Sequence, residues 1–595
     1  MPLSRKHGLT MFRFDARRLR GIRFAIALLL FAPSALRAAT LEVIVEGIEG
    51  SAQDNVLNAL TLYQERDRTD LPETRIRRLH AAAPEEIRAA VKPFGYYQPT
   101  IDASLEFDRA EDRWTARYLV QPGPVVRVAA IEINLRGDGA VDQAFRSVVE
   151  RFPLRRGDPL NQAMYEQGKS RIQSLASERG YFDLRLSRHE VRVDPEAYRA
   201  EIYLDVDTGA RYRFGEVSVD QDLLEPELLQ RYIRIDPGTP YSTQALLDVQ
   251  NALTTSNYYS EIKIDADPQQ AKDRVIPVTI KLTRRPQNKY TFGAGYGTDT
   301  GPRAQIGWER YYLNPEGHHA RIDLRGSQVD RSLTAGYFIP IRNPRTDQLG
   351  FTGGFEETDT DTATASTRRL AISRSTVRGR LLETLSLTHQ LERFDVGGQT
   401  GKTTLVLPGV SWTYYVGDDR IYTRSGARAT LNVLGATETF GSDVSMRQAR
   451  LQLRAIFPVA SAGRLITRLD AARTSVNNFA QLPASLRFFA GGDQSVRGYP
   501  YNSLGPMDAQ GNVVGGPHLL AGSVEYEQQL AGKWSAAIFF DEGNALNNFH
   551  DPLKRGAGIG LRWRTPIGQI RVDIAEALSE PGRPRRFHIV IGPDL

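Results

Sequence analysis

One pattern constrains the fold of this chain more than any other: a strict alternation of apolar and charged side chains that continues from Lys289 onward. In the segment ARLQLRAIF, Leu451 and Leu453 alternate with Arg450 and Arg454, and ARIDLRGSQ and IRVDIAEAL alternate in the same way. Successive side chains of a β-strand point to opposite faces of its sheet. The pattern therefore predicts strands with one face in an apolar environment and the other in water.

Two folds could carry such strands. A soluble sandwich would bury the apolar faces against each other, but it would rarely place charges on every strand of so long a segment. A membrane β-barrel turns its apolar face outward to lipid and its polar face inward, and its closure removes the sheet edges that lipid does not tolerate. We count about sixteen strands, an even number, and predict an all-β transmembrane barrel. The aromatic residues expected in its interfacial girdles are Tyr290, Trp308, Tyr311, Trp412, Trp534 and Trp563.

The N-terminal half contains a unit that occurs three times. Each copy reads as a strand, two helical stretches and two alternating strands, as in AEIYLDVDTG, where Ile202 and Leu204 share one face. The copies repeat at roughly 80 residues, a spacing typical of small tandem domains. The aromatic pairs that mark them are Tyr96-Tyr97, Tyr181-Phe182 and Tyr258-Tyr259. We predict three α+β domains of order β-α-α-β-β before the barrel.

The first 39 residues differ from the rest of the chain. Arginines precede the short apolar run FAIALLLFA, and small residues follow it. This order predicts a signal peptide over residues 1–39 and an exported mature chain. An N-terminal membrane anchor is the alternative, although a membrane span needs roughly 20 apolar residues. Met11 is an alternative start.

Composition and motifs argue against several classes of function. The chain has 76 basic and 70 acidic residues and no cysteine. Basic and acidic residues in such nearly equal numbers do not favour a nucleic-acid partner, and the lack of cysteine excludes disulfides and thiolate metal sites. G-x-S-x-G and H-E-x-x-H motifs are missing from the sequence, and its histidines show no metal-binding spacing. We expect neither an enzyme nor a bound cofactor or metal.

One long connection within the barrel region carries a single constrained arginine. The segment GGDQSVRGYPYNSLGP places Arg497 between Val496 and Gly498, in a loop that follows a strand ending near Val476 and precedes one starting near His518. Most hairpin connections are far shorter, so a loop of this length is either disordered or held in place.

The strands after this loop offer partners for the arginine. In GSVEYEQQL the apolar alternation puts Glu525 and Glu527 on the lumen face, and in WSAAIFFDEGN it puts Asp541 there. An arginine can bind a carboxylate through two parallel hydrogen bonds, and Gly498 would allow a tight turn. We therefore predict that the loop folds back into the barrel with Arg497 as its anchor. The alternative is a solvated arginine on a mobile loop.

These motifs resemble those of a known family. The β-α-α-β-β unit, with V-x-x-G-x-x-x-R between units at Val120, Gly123 and Arg127, resembles the POTRA domain. The segment SVRGY resembles the loop-six signature of the outer-membrane assembly superfamily, which includes the BamA and TamA proteins and the two-partner secretion pores. FFDEGN resembles that family's F-x-D-x-G motif. The residues that the resemblance implies for a loop-six lock are Val496, Arg497, Gly498 and Tyr499, with Glu525, Asp541 and Gly543 as lumen partners.

The resemblance implies a domain organisation and a function. It implies POTRA domains at residues 40–122, 123–209 and 210–286 and a barrel at 287–595, in the outer membrane with the POTRA domains in the periplasm. POTRA domains bind partners by adding a strand to a sheet edge, although they could also serve as rigid spacers. Three such domains resemble the TamA branch, which implies an insertase for autotransporters and other β-barrel clients. Its partners would be a TamB-like protein anchored in the inner membrane, the unfolded clients and outer-membrane lipid. The alternative is a two-partner-secretion-type pore for one dedicated client.

The closure of the barrel is the last sequence feature that bears on function. The first strand, KYTFGAGYG, must pair with the last, FHIVIGPDL, and both carry residues that weaken a strand pair. We predict a lateral gate between them, which an incoming client strand could enter. The alternative is an ordinary closed barrel with a frayed end. The gate residues are Tyr290, Phe292, Gly293, Gly295, Ile589, Ile591, Gly592 and Pro593.

Overall fold

The computed structural model describes residues 40–68, 70–419, 422–566 and 568–592. The predicted signal peptide and Pro593 lie outside the described residues. The chain forms two compact units. Of the described residues, the first contains those as far as Arg136 together with 140–173 and 185–207, and the second contains 137–139, 174–184 and those from Thr208 onward. In the part of the chain that the structure describes, no helix is both long enough and apolar enough to span a membrane.

The first repeat packs its helices on a three-stranded sheet. Its elements are β1 (Thr40–Glu46), α1 (Gly50–Ala59), α2 (Thr61–Gln64), α3 (Glu73–Val91), β2 (Thr100–Asp108) and β3 (Arg113–Gln121). β3 lies in the centre, parallel to β1 and antiparallel to β2. Trp114 and Tyr118, two residues of the alternating apolar face of β3, are buried in one core with Val56 and Ile87 of the helices. The short helix α2 is an addition that the sequence pattern did not predict.

The second and third repeats have the same sheet order, with the last strand in the centre. The second consists of β4 (Arg127–Arg136), α4 (Gln143–Glu150), α5 (Gln162–Arg179), β5 (Arg185–Asp194) and β6 (Arg199–Asp207). The third consists of β7 (Arg213–Asp220), α6 (Pro226–Tyr232), α7 (Thr243–Ser256), β8 (Tyr259–Asp265) and β9 (Val275–Arg284). Asn257, with φ of 64°, ends α7 in the left-handed conformation that glycine supplies at the ends of other helices. The predicted α+β order is confirmed in all three repeats.

Sixteen antiparallel strands then form a closed barrel, as the alternation predicts. They are β10 (Asn288–Gly297), β11 (Gly301–Arg310), β12 (His319–Gly326), β13 (Asp330–Pro340), β14 (Asp347–Asp359), β15 (Ala363–Arg378), β16 (Leu381–Val396), β17 (Gln399–Gly417), β18 (Gly426–Ala436), β19 (Met446–Val459), β20 (Gly463–Val476), β21 (His518–Ala531), β22 (Trp534–Leu546), β23 (Lys554–Thr565), β24 (Gly568–Ala577) and β25 (Arg585–Gly592). We call the end where the chain enters β10 the proximal end and the opposite end the distal end.

The two faces of the barrel wall are chemically different. Val524 and Ile538 point outward and are 52% and 60% exposed, whereas Glu525 and Asp541, one position from an outward residue, are buried on the lumen side. Directly paired residues of neighbouring strands share a face, so the register extends this assignment around the wall. The predicted apolar-out, polar-in arrangement is therefore present.

The aromatic residues predicted for the interfacial girdles all lie at one end of the barrel. Tyr290 and Trp308 are paired near the start of β10, and Trp534 stacks on Trp563 with ring centroids 5.7 Å apart beside the turn from β21 to β22. Trp412 lies near the same end of β17. These residues mark the proximal end and form one girdle rather than two.

The third repeat is fastened to proximal turns of the barrel. The Tyr258 hydroxyl donates to the carbonyl oxygen of Gly317 over 2.7 Å in a buried hydrogen bond. The backbone N–H of Glu225 donates to the carbonyl oxygen of Pro315 over 3.0 Å. Both bonds hold the turn between β11 and β12, so the repeat next to the barrel is anchored beside the first barrel strands.

Candidate functional site in the barrel lumen

The connection between β20 and β21, residues 477–517, folds into the barrel and has an apolar core of its own. Its residues Phe488, Val496 and Tyr499 are buried in one cluster with the wall residues Leu519 and Ala577. A loop held by such a cluster is not the solvated, mobile connection of the alternative interpretation. We call it the lumen loop.

Arg497 is bound to Asp541 through both its side chain and its backbone. The guanidinium is 4% exposed. Its Nε and Nη2 donate to Oδ2 and Oδ1 of Asp541 over 2.7 and 2.9 Å, and its backbone N–H donates to Oδ2 over 3.0 Å. Two parallel bonds to one carboxylate require the planar fork of arginine, which lysine lacks.

The other N–H groups of Arg497 also have partners. Nη1 donates to Glu525 over 2.7 Å and to Asp573 over 3.2 Å, and Nη2 donates to the Ser523 hydroxyl over 3.2 Å. The guanidinium carbon lies 3.3 Å from the ring centroid of Phe539. All five donors and one face of the guanidinium are thus satisfied in a water-poor site.

A second buried arginine shares the same carboxylates. Arg562 is 0% exposed, and its Nη2 donates to Glu525 over 2.8 Å while its Nη1 donates to Asp573. Glu525 and Asp573 therefore each bridge the two guanidinium groups. We call Arg497, Arg562, Glu525, Asp541 and Asp573 the ionic cluster. Removing one member of a buried network of this kind costs about 3–5 kcal/mol, because the remaining charges lose their compensation.

Glycines allow the lumen loop to approach the wall closely. Gly498 has φ of +97°, and a Cβ there would lie 3.0 Å from the backbone nitrogen of Ala577. A Cβ at Gly556 of β23 would overlap the carbonyl oxygen of Arg497. Gly498 therefore needs to be glycine both for its left-handed conformation and for the close backbone contact, whereas Gly556 needs to be glycine for the close contact alone.

Two further hydrogen bonds fix the loop beside the last strands. The N–H of Gly498 donates to Nε2 of His588 on β25 over 3.0 Å. The Tyr499 hydroxyl donates to the carbonyl oxygen of Arg555 over 3.2 Å and accepts from the N–H of Ser579 over 3.3 Å. The loop thus contacts β23, β25 and the connection after β24.

The structure brings most of the predicted lock residues together. Val496, Arg497, Gly498 and Tyr499 meet Glu525 and Asp541, whereas Gly543 lies against Ala521 on the neighbouring strand. The sequence interpretation did not include Asp573, Arg562, Ser523, Phe539, His588 or Gly556 among the residues of the lock or their lumen partners. The charged-face pattern contained a signal for the first two, because Asp573 and Arg562 both fall on the lumen face of alternating strands. No sequence pattern predicted the contacts that His588 and Gly556 make with the lumen loop.

Glu527, also expected to face the lumen, belongs to a different network near the proximal end. Its carboxylate accepts from Arg464 over 2.7 Å and from the Gln569 amide over 3.1 Å, and all three side chains are nearly inaccessible. Arg464 also donates to the carbonyl oxygen of Thr423 over 2.7 Å and lies over the ring of Tyr422. This network holds Thr423, which precedes β18, on the lumen side. Across the described residues, no group of three or more acidic or histidine side chains is arranged to hold a metal ion.

The seam between β10 and β25 has little strand pairing. Gly297 and Val590 are the only pair in register among the described residues, whereas β24 and β25 pair from Gln569 through Glu576. Beyond that pair, the N–H of Thr298 donates to the carbonyl oxygen of Ile589 over 3.1 Å.

The predicted gate residues lie along this seam. Tyr290 and Phe292 point outward, with exposures of 63% and 76%. Gly293 and Gly295 face the lumen on the part of β10 that, within the described part of the chain, pairs only with β11. Ile589, Ile591 and Gly592 pair with β24. Among the described residues, the proximal stretch of β10 therefore has a paired neighbour, β11, on one side only.

The lumen loop reaches both sides of the seam. The N–H of Asp493 donates to Oδ2 of Asp299, in the turn after β10, and Gly498 binds His588 on β25. The segment between Asp493 and Gly498 therefore connects the first hairpin of the barrel to its last strand.

Comparisons with known proteins support this architecture. Residues 288–594, just over half of the chain, match the model of the Omp85 superfamily domain. Residues 42–122 match a POTRA domain described as TamA domain 1, and residues 128–209 match a POTRA model described as a surface antigen variable number repeat.

The similar proteins are outer-membrane assembly factors. BamA of Nitratidesulfovibrio vulgaris is 24% identical over 379 residues, which cover 60% of this chain and 47% of that protein. BamA of Neorickettsia risticii is 20% identical over 468 residues, covering 72% and 61%. The chain thus spans less than two thirds of the length of these relatives. The crystal structure of Haemophilus ducreyi BamA lacking POTRA domains 1–3 superposes with a TM-score of 0.65 at 16% identity, over 78% of this chain and 99% of that one. At that identity the match supports the fold.

Proposed function

The chain belongs to the Omp85 superfamily, and we propose that it is a TamA-like insertase that helps autotransporters and other β-barrel proteins enter the outer membrane. The barrel lies in the outer membrane and the POTRA domains lie in the periplasm. The proximal end is therefore the periplasmic end, and the distal end faces the cell surface. The role is that of a non-enzymatic assembly factor.

The observation that carries the proposal is the weak seam. An insertase must expose strand edge to a client inside the membrane, where unpaired N–H and C=O groups are otherwise too costly. In the described part of the chain, β10 and β25 share one register pair, Gly297 with Val590, so their separation sacrifices few hydrogen bonds. A client strand could then pair with the freed edge of β10 and pass sideways into lipid.

The TamA-like assignment draws on the repeats. Three POTRA-like units precede the barrel, and residues 42–122 match a model named for TamA. An inner-membrane-anchored TamB-like protein is accordingly the proposed partner, and unfolded barrel proteins are the proposed clients.

In the first repeat β2 is an edge strand with most of its side chains exposed, so it offers the kind of sheet edge to which a partner strand can add. A chain lacking residues 41–121 should still insert its barrel but capture less partner in a pull-down. Failure of the barrel itself to insert would contradict this division of labour.

A disulfide across the seam tests the proposal. Gly297 and Val590 are directly opposed, which puts their Cβ positions within about 4.5–5.5 Å, and the chain has no other cysteine. The Gly297→Cys/Val590→Cys variant should lose client insertion when oxidised and regain it on reduction. The matched control is Ala335→Cys/Gly353→Cys, an opposed pair on the fully paired strands β13 and β14, which should stay active when oxidised.

The same experiment distinguishes an insertase from a secretion pore. A two-partner-secretion-type pore passes its client through the lumen and would keep its activity with the seam closed. Undiminished client assembly, with the engineered disulfide across the seam shown to be complete, would overturn the insertase proposal.

A further inference from the structure

A groove on the outward wall near the cell-surface end has the features of a lipid site. It encloses about 800 Å³, and its lining includes Leu387, Val406, Pro408, Phe440 and Arg447. Leu387 is paired with Pro408, and it shares its face with Ile372, which is 50% exposed. These residues therefore belong to the lipid-facing surface.

The upper part of the groove is formed by a turn and an arginine. β18 ends at Ala436, and the following turn places the ring of Phe440 at the groove with 76% exposure. Arg447 is the second residue of β19 and points outward, because its neighbour Gln448 faces the lumen and donates to the lumen loop at Leu486. Arg447 is the one charged residue in the lining.

One cation lies in the lining of the groove, and two others lie outside the lining, farther along the same wall. Among the described residues, Arg447, Lys402 and Arg393 make no ion pair and no side-chain hydrogen bond. Lys402 lies on the outward face of β17, two outward positions beyond Val406, and Arg393 is directly opposite it. Like charges in directly opposed positions destabilise a sheet unless an anion lies between or beside them.

The acidic side chains in the same region are already engaged. Glu438 accepts from the Asn477 amide over 2.9 Å, Asp443 accepts from the N–H of Thr404, and Asp395 accepts from the N–H of Gly398. None of these three carboxylates lines the groove, so the one charge in its lining is the positive charge of Arg447.

We propose that this groove binds a phosphate-bearing, acylated lipid of the outer leaflet. An acyl chain lies along Leu387, Val406 and Pro408, under the ring of Phe440. The phosphate meets Arg447, with Lys402 and Arg393 adding positive charge above the apolar band. This contact attaches the barrel to the lipid that surrounds it. The groove lies on strands that are remote in sequence from the seam.

Native mass spectrometry of the full-length protein tests the site, with bisphosphorylated lipid A as the probe. The delipidated protein should retain lipid A and bind the fully dephosphorylated form about fivefold more weakly, the effect of about one cation near a lipid surface. Arg447→Gln should weaken lipid A binding by the same factor. Val406→Trp, which fills the groove and keeps every charge, should also reduce binding. The matched control is Arg331→Gln, an exposed outward arginine at the same end on β13, opposite Glu357, which should bind like the wild type.

Three results would overturn the proposal. Equal binding of the phosphorylated and dephosphorylated lipids would remove the phosphate contact. An equal loss in Arg331→Gln and Arg447→Gln would show general attraction to the barrel surface rather than a site. A photo-crosslinking residue at Phe440 that captures a protein instead of lipid in cells would assign the groove to a protein partner.

Discussion

The backbone N–H of Gly498 donates a hydrogen bond to Nε2 of His588 over 3.0 Å, which ties the lumen loop to the last strand of the barrel. His588 is 1% exposed, and its ring lies on the lumen face of a strand with a single register pair to β10 among the described residues. A loop that is itself fixed by the ionic cluster therefore supports the strand at the weak seam. The anchor of the lumen loop and the proposed gate are therefore connected through the hydrogen bond between Gly498 and His588.

Removing this bond should loosen the seam without releasing the loop. His588→Ala removes the acceptor, and one lost hydrogen bond of about 1 kcal/mol corresponds to about fivefold faster opening. Hydrogen exchange of residues 585–592 in the full-length protein should rise by that factor, while residues 491–499 stay protected. His588→Gln keeps an acceptor and should restore part of the protection. Equal exchange in the wild type and His588→Ala would mean that β25 is held by β24 alone.

Replacement of Arg497 should release the lumen loop from its anchor. Arg497→Ala leaves Glu525, Asp541 and Asp573 with fewer compensating charges, at a cost of about 3–5 kcal/mol, and the apolar cluster is then the main contact that holds the loop. Protease added to intact cells should cut residues 477–517 in the variant and not in the wild type. Arg497→Lys should behave like Arg497→Ala, because lysine cannot form two parallel bonds to Asp541.

A control for this experiment is available in the neighbouring buried network, two residues along β21 from Glu525. Arg464→Ala breaks the buried pair with Glu527 near the periplasmic end, so it imposes a similar loss of charge pairing without touching the lumen loop. It should leave the loop resistant to protease. An Arg497→Ala variant as resistant as the wild type would show that the apolar cluster alone holds the loop.

A methyl group at residue 556 should mimic the loss of Arg497 with every charge in place. Gly556→Ala puts a Cβ where the carbonyl oxygen of Arg497 lies, so the loop must move away from β23 at a cost of about 1–3 kcal/mol. Surface proteolysis should cut the loop in this variant, at a slower rate than in Arg497→Ala. Gly326→Ala, at a strand glycine with open space around its α-carbon, is the matched control and should stay uncut.

The sequence predicted those features that follow from local periodicity. Alternation of period two identified the barrel and placed Glu525 and Asp541 in the lumen, because a residue's face depends only on its position along the strand. The three repeats were recognisable for the same reason: each carries its own helix and strand pattern. The loop-six motif drew attention to Arg497 through resemblance, and the structure shows this residue bound to Glu525 and Asp541.

Other features depend on which strands lie side by side, and no local pattern contains that information. Arg562 is 65 residues from Arg497 in sequence. The two arginines meet only because Glu525 on β21 and Asp573 on β24 each bind both of them. The sharing of carboxylates, the contact of Gly556 with the loop and the bond to His588 are all consequences of barrel register. The extent of pairing at the seam is likewise a property of barrel closure. The composition of the two end strands indicated that this pairing is weak, but not how many residues pair.

Acid should destabilise the first POTRA domain through one half-buried histidine. His80 on α3 lies against the central strand, with its Nδ1 2.8 Å from the Tyr118 hydroxyl. Burial lowers the pKa of the His80 imidazole below its ordinary value of about 6.5, so the unfolded domain binds the proton more readily than the folded one. Stability is therefore unaffected well above pH 6.5 and falls as the pH drops through and below that value.

Hydrogen exchange of α3, residues 73–91, in the full-length protein measures this effect. After correction for the intrinsic pH dependence of exchange, protection of α3 should be lower at pH 5.5 than at pH 7.5. His80→Gln retains an acceptor for the Tyr118 hydroxyl and cannot be protonated in this range, so its α3 should be equally protected at both pH values. The third POTRA domain has no histidine within residues 210–286 and serves as an internal reference in the same sample. If α3 of the wild type and of His80→Gln lost protection in parallel on acidification, groups other than this imidazole would be responsible.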